Sequence, residues 1–321
     1  MPPLTKRPPL AEIHLVPPPW PALLVASRCY VRYAPGIAMK RRMLRLWLDV
    51  GLAQKPRPLR VMRSRYGTKI RVPNTEDLIM RYLYMTGSWE PCLSAFIASR
   101  LQPGDGFVDI GANIGYYSML AYRRVGPTGS VTAIEPAPLL YGELVANIVI
   151  NGCENVRPVR AAVTNQPGEI TMFVPDAANL GTTTTVKPAL YDAEMTVPGL
   201  PLLDVVCLAE LERARIIKID VEGAEDIVLG SLAPLLDRLR PDCEIAVEVA
   251  PKRLAASGET VDSILAPFLA RGLHVYRVAN SYMPEDYPMM LRRPTPPVRV
   301  REPITEQMDL VLSFVDADVL A

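Results

Sequence analysis

The sequence predicts an α/β fold, a doubly wound, mostly parallel sheet preceded by a helical, Pro-rich extension. Three observations carry this. From residue 106 onward, short apolar runs alternate with stretches of helical periodicity 10–15 residues long. Phe107-Val108-Asp109-Ile110-Gly111-Ala112-Asn113-Ile114-Gly115 passes from a buried strand through two glycines into a helix. Ile216-Ile217-Lys218-Ile219-Asp220-Val221-Glu222-Gly223 repeats the strand-to-helix turn with acids at the strand end.

At 321 residues the chain has room for one large domain with an appendage, or for two. It is 49% hydrophobic, enough for a sizeable core. A net charge of +1 gives no whole-chain case for nucleic acid. The five cysteines form no CxxC pair, and with only His14 and His274 a His-rich zinc site is excluded, so no metal is expected. Isolated thiols suit a reducing compartment. No run approaches the ~20 apolar residues of a transmembrane helix. A soluble, cytoplasmic protein is therefore the default expectation.

The elements follow in order. Residues 1–21 read as an extended Pro-rich leader. Residues 22–100 form a helical and hairpin extension. Within it, Lys40, Arg41, Arg42 and Arg45 interleave with Met43, Leu44, Leu46, Trp47 and Leu48. Such a basic amphipathic helix can lie on a membrane, but more commonly it packs on its own domain with a solvated basic face. A hairpin is expected over 59–73 around Tyr66-Gly67-Thr68, and helices over 75–100, the second opened by Pro91. The main domain spans 101–321. Strands are expected at 106–110, 130–135, 156–163, 169–174, 215–220, 244–249, 273–278 and 308–315. Helices are expected at 138–150, 223–240 and 260–271, each with apolar residues at helical spacing. The Pro-rich stretch 281–306 is long enough to be a functional insertion, such as a substrate lid.

The ends of the strands carry the chemistry. Ligands of doubly wound sheets bind outside the carboxyl ends of strands, at the switch point. Gly111 and Gly115 let a ligand approach the backbone, and the helix after them presents unpaired amides. Glu135 closes the second strand, 20 residues after Gly115, where an acid accepts hydrogen bonds from two ribose hydroxyls. A nicotinamide-dependent oxidoreductase uses the same logic, but its GxGxxG fingerprint is broken here by Asn113 and Tyr116. A nucleoside with a small zwitterionic tail, as in S-adenosylmethionine, fits better. Asp109 and the loop amides are expected to hold the amino-acid end, and Glu135 the ribose. The alternative is a capped glycine turn without a ligand.

In the second motif, strand alternation puts Lys218, Asp220 and Glu222 on one side. A lysine in an apolar strand needs a partner, and Asp220 or Glu222 can supply it. Glu225 and Asp226 are better read as first-turn acids favoured by the helix dipole. His274 reads as structural. Trp89 and Glu90 are candidates for a wall of the cofactor pocket. Thr182–185 is either a polar loop in solvent or a segment closing over the ligand.

The two motifs together resemble the FkbM family of S-adenosylmethionine-dependent methyltransferases. The resemblance rests on VDIGANIGYYS at 108–118, AIEP at 133–136 and IKIDVEGAE at 217–225. Looser matches are GSWEP at 87–91, Asn147 with Asn151, AAV at 161–163 and LPLLDVV at 200–206. It implies a class I methyltransferase, Rossmann-like fold with a seven-stranded sheet whose last strand is antiparallel. It further implies methyl transfer to a hydroxyl of a natural product, sugar or glycan. In the match, Asp109, Gly111, Ala112, Asn113, Gly115 and Glu135 form the cofactor loop and ribose acid. Lys218, Asp220 and Glu222 match the family's second motif. Their expected position across the switch point from Gly111 makes them the catalytic candidates, with Asp220 or Glu222 orienting the acceptor hydroxyl and taking its proton. A small-molecule or glycan acceptor is the expected partner. The competing readings are the oxidoreductase and a non-catalytic methyltransferase-like binding module.

Overall fold

A computed structural model describes residues 20–52, 58–174, 183–185 and 187–321. Residues 1–19 of the expected Pro-rich leader lie outside these residues, as do Gly181 and Thr182, while its last two, Trp20 and Pro21, begin a helix.

The extension holds helices α1 (Trp20–Tyr33) and α2 (Ala38–Arg45), the latter continued by a π-helical turn over Leu46–Gly51. The expected hairpin is present as β1 (Pro58–Arg63) and β2 (Lys69–Asn74), followed by α3 (Leu78–Thr86) and α4 (Pro91–Arg100). Arg32 staples α1 to the rest by donating to the carbonyls of Leu83, Tyr84 and Met85 at the end of α3.

The main domain continues with β3 (Gly106–Ile110), α5 (Tyr116–Val125), β4 (Ser130–Ile134), α6 (Pro138–Asn151) and β5 (Val156–Val159). Then come β6 (Ala162–Val163), β7 (Gly168–Val174), β8 (Ala193–Leu200), α7 (Leu202–Val205) and α8 (Leu208–Arg213). The last part contains β9 (Ala214–Ile219), α9 (Glu225–Leu232), β10 (Glu244–Val249), α10 (Pro251–Leu254), α11 (Val261–Leu269) and β11 (His274–Val278). It ends with α12 (Tyr287–Arg292), β12 (Val298–Arg299) and β13 (Met308–Ser313).

The main sheet has the order β12-β11-β13-β10-β9-β3-β4-β5. Strands β10, β9, β3, β4 and β5 are mutually parallel, and β13 runs antiparallel to both β10 and β11. Seven of the strands match the expected sheet with its reversed last strand. The two-residue β12 adds an eighth at the edge.

Period-2 alternation sorts the core. Phe107, Val131 and Ile216 face one apolar layer with α4, α5 and α6. Val108, Ile110, Ile217 and Ile219 face the other with α9 and α11. Asp109 and Lys218 share the first face and are direct register partners on adjacent strands.

Four details differ from the sequence reading. The strand expected over 156–163 is two strands: β5 stays in the main sheet, while β6 joins β8 and β7 in a separate three-stranded sheet. β8 was not anticipated, because Pro198 and Gly199 interrupt its strand pattern. The helix expected over 223–240 ends at Leu232 and tightens to a 3₁₀ turn over Ala233–Arg238, since Pro234 cannot continue the α-helical bonding. The Pro-rich stretch 281–306 contains α12 and β12 rather than only loop.

Candidate functional site

A cavity of about 240 Å³ opens at the carboxyl ends of β3, β4 and β9, where the sheet's strand order reverses. That is close to the lower end of the range of small-molecule sites, about 300–1,000 Å³.

One wall is the glycine loop. Gly111 sits at φ +84°, and a Cβ there would lie 1.8 Å from the Asp220 carbonyl oxygen, so the β3 and β9 loops touch only because this residue is glycine. Gly115, at φ +82°, packs against Leu144 of α6 in the same way. The loop amides are committed within the protein. Those of Gly111 and Ala112 donate to the Ile134 carbonyl at 2.9 and 2.8 Å. Asn113 donates to Glu135 Oε2 at 2.8 Å, Ile114 to Asn113 Oδ1 at 2.7 Å and Gly115 to the Ala112 carbonyl at 2.8 Å. Each amide from Gly111 to Gly115, the group expected to hold a ligand, is thus bonded within the protein in this structure.

Glu135 follows β4 and lines the cavity while only 5% exposed. Its Oε1 accepts from the Ala137 amide at 2.9 Å and its Oε2 from Asn113. Each oxygen keeps a lone pair. Burial pushes its carboxyl up to about 7, against the pull of the two amides.

The facing wall comes from β9 and β10. Lys218 Nζ is buried and lies 2.9 Å from Asp220 Oδ2, 3.9 Å from Asp109 Oδ1 and 4.9 Å from the centre of the Tyr117 ring. Burial opposes its charge, but Asp220, Asp109 and Glu90 outweigh this and hold its pKa above the ordinary value. Asp220 is 34% exposed at its side chain and reaches the cavity. Asp109 does not line the cavity. It is fully buried, with Oδ2 accepting from Ser118 at 2.6 Å and Oδ1 turned toward Lys218. It stands beside Lys218, bonded to Ser118.

Glu222 and Glu248 both line the cavity and share Arg253 from α10. Arg253 is 2.6 Å from Glu222 and 3.6 Å from both Glu225 and Glu248. Burial and then Glu248 push Glu222 up to about 8. Burial and then Asp220 push Glu248 up to about 7. Glu225 opens α9, as expected of a first-turn acid, but is only 1% exposed. The threonine run anchors here too: Thr184 Oγ1 donates to the Glu222 carbonyl at 2.7 Å, and Thr185 Oγ1 to that of Gly223 at 3.0 Å.

A third wall joins the GSWEP motif to the Pro-rich stretch. Trp89 stacks on Tyr282 with ring centres 5.4 Å apart. Glu90 adopts φ +40°, a left-handed conformation that costs a glutamate strain. Its carboxylate accepts from the Tyr117 hydroxyl at 2.6 Å and the Tyr282 hydroxyl at 2.8 Å. Burial, then Asp220, raise its pKa. Trp89, Glu90, Tyr117 and Tyr282 all line the cavity. The sequence offered Trp89 and Glu90 as wall residues, whereas nothing in it pointed to Tyr117, Tyr282 or Arg253. His274 is remote from this site, bonded to Arg299 and 3.7 Å from Asp316.

The charge balance of the walls is one-sided. Glu90, Glu135, Asp220, Glu222 and Glu248 face Lys218 as the only lining cation among the described residues. Such a site disfavours a pyrophosphate and favours a ligand carrying positive charge. Among the described residues, no three His, Cys, Asp or Glu side chains are grouped to hold a metal ion.

Fold and site together define a doubly wound α/β domain of the class I methyltransferase type. Residues 109–272 match the model of the methyltransferase FkbM domain, and the chain belongs to that family. It is 30% identical over 161 residues to the 31-O-demethyl-FK506 methyltransferase FkbM of Streptomyces tacrolimicus, covering 41% of this chain and 61% of that protein. It is 25% identical over 217 residues to the hexuronic acid methyltransferase AglP of Haloferax volcanii, covering 67% of this chain and 86% of that protein. The match spans 58–61% of the length of the first three curated relatives. A solved FkbM methyltransferase from Methylobacillus flagellatus aligns over 84% of this chain and 59% of its own, with a TM-score of 0.39 and 12% identity. No helix among the described residues is long and apolar enough to cross a membrane.

Proposed function

We propose that this protein is an S-adenosylmethionine-dependent O-methyltransferase acting on a hydroxyl of a natural product, sugar or glycan. The observation that carries the reading is the cavity's charge: five carboxyl groups against one lysine, placed at the switch point with Glu135 after β4. The residues fit such a cofactor, because Glu135 keeps two lone pairs for ribose hydroxyls and the acids complement a cation. An anionic dinucleotide meets neither free amides in the Gly111–Gly115 loop nor a neutralising wall, so the oxidoreductase alternative loses support. FkbM of Streptomyces tacrolimicus and AglP are named as methyltransferases of an O-demethyl natural product and of a hexuronic acid, which supports hydroxyl-bearing acceptors.

S-adenosylmethionine supplies a methyl group already activated on a sulfonium. The protein's task is then alignment and removal of one proton from the acceptor hydroxyl. Asp220 suits the second task. It is the acid of its motif that reaches the cavity without being clamped by an arginine, and Lys218, backed by Asp109, fixes its orientation at 2.9 Å. Glu222 is held by Arg253 and serves better to position. Glu90, with Trp89 and Tyr282, forms a further wall of the cavity.

Asp220→Asn tests the assignment. Turnover of a methyl acceptor at saturating cofactor should fall by about 10²–10⁴-fold, while cofactor affinity falls by no more than about tenfold. Turnover within threefold of the unmodified protein would remove Asp220 as the base.

A further inference from the structure

A second cavity, of about 320 Å³, lies between the N-terminal extension and α12. Its walls hold Arg32, Lys40, Arg65 and Arg292, and no acid among the described residues. Arg32 is already spent on carbonyls of Arg63, Leu83, Tyr84 and Met85. The other three converge from separate elements: Lys40 from α2, Arg65 from the hairpin turn and Arg292 from the end of α12. Arg65 donates one bond, to the Leu291 carbonyl at 3.4 Å. Lys40 and Arg292 form no hydrogen bond or ion pair with the described residues, although Lys40 is half-buried. Burial, then Arg65 and Arg292, lower the pKa of Lys40, so these charges repel one another across the cavity.

Two acids just before α12 are engaged elsewhere. Glu285 pairs with Arg45 at 3.5 Å, and Asp286 accepts from Ser281 at 2.7 Å. Helix α2 also begins at this cavity: Gly36 and Ile37 line it, Ile37 supplies no side-chain cap, and the first turn contains no acid. Its positive dipole end therefore adds to three converging, unneutralised cations. Three cations from separate elements beside the start of a helix suit a multiply charged anion such as a phosphate group.

We propose that this cavity binds a phosphate group, as a monoester or diester, at a site distinct from the acid-lined cavity. Helix α12 reaches toward both: the Glu90 amide donates to the Tyr287 hydroxyl at 3.1 Å, while Pro288, Leu291 and Arg292 line the basic cavity. The proposal does not depend on the methyl-transfer reading, since it concerns binding alone.

The test uses the full chain and inorganic phosphate as probe, titrated by calorimetry at low ionic strength. Saturable binding with a Kd at or below about 1 mM is expected. It should weaken by tenfold or more in Lys40→Gln/Arg292→Gln. That double variant should keep its melting temperature and its affinity for S-adenosylhomocysteine, which separates a lost phosphate site from a lost fold. Co-sedimentation with phosphatidylcholine vesicles, with and without phosphatidic acid, distinguishes the source. Retention on phosphatidic acid vesicles alone, lost in the double variant, identifies a lipid headgroup. Phosphate binding without vesicle retention identifies a soluble phosphoester. No saturable phosphate binding, or equal binding by the double variant, overturns the proposal.

Discussion

The two facing walls of the acid-lined cavity are built on opposite principles. The glycine-loop wall is internally complete, with every amide from Gly111 to Gly115 bonded within the protein and two glycines set where no side chain fits. The β9–β10 wall is incomplete, with Glu222 and Glu248 sharing one arginine and both pushed up toward neutral pH. The first wall fixes shape. The second leaves a charge requirement that a cationic ligand can meet. The difference teaches that a glycine loop at a strand end can bond all its own amides; on the proposed reading, the ligand's charge is met from across the cleft.

The largest expected effect breaks the shape-setting wall. Gly111→Ala places a methyl group against the Asp220 carbonyl in a left-handed conformation. A loss of more than about 4 kcal/mol in stability, with little soluble protein, is expected from chemical denaturation. Next, Lys218→Met leaves Asp109 and Asp220 without their counter-charge. Removing one partner of a buried pair costs about 3–5 kcal/mol, measurable by thermal unfolding. Glu135→Gln removes the charge and turns one of the two acceptors of the Asn113 and Ala137 amides into a donor, so it should weaken S-adenosylmethionine binding by about tenfold or more.

A subtler effect concerns pH. The carboxyls of Glu135, Glu248 and Glu222 stand at about 7, 7 and 8 without ligand. A cation binds their ionised forms, so affinity for S-adenosylmethionine should rise from pH 6 to pH 8, with protons released on binding. The smallest effect is on the empty protein. The folded-state pKa of Glu222 is raised, so its favourable contribution is complete below about 4.5 and is lost as pH climbs through about 8. Glu222→Gln should therefore flatten the fall in melting temperature between pH 6 and pH 9 by a few degrees.

Much of this was legible in the sequence, because it depended on local patterns. Strand alternation placed Lys218 and Asp220 on one side, and the glycine spacing located the switch point. Asn147 and Asn151 stood out as a pair, and they turn out to bond the backbone of β2 at Arg71 and Lys69, fastening the hairpin to α6. The unread parts depend on distant chain segments. Tyr282 comes from a Pro-rich stretch with no periodicity, yet its hydroxyl meets Glu90, 192 residues away. The commitment of the loop amides to Ile134 and Glu135 needs the β3–β4 register, which motif spacing does not encode. Strand spacing put Asp109 beside the glycines, but its bond to Ser118 and its approach to Lys218 depend on α5 and on the β3–β9 register, which local spacing does not encode.

One measurement tests the charge argument most directly: calorimetric titration with S-adenosylmethionine and with NADH at pH 6 and pH 8. The acid-rich cavity predicts saturable binding of S-adenosylmethionine, tighter at pH 8, and no binding of NADH at either pH. Binding of NADH, or an S-adenosylmethionine affinity that falls as the carboxyls ionise, would contradict it.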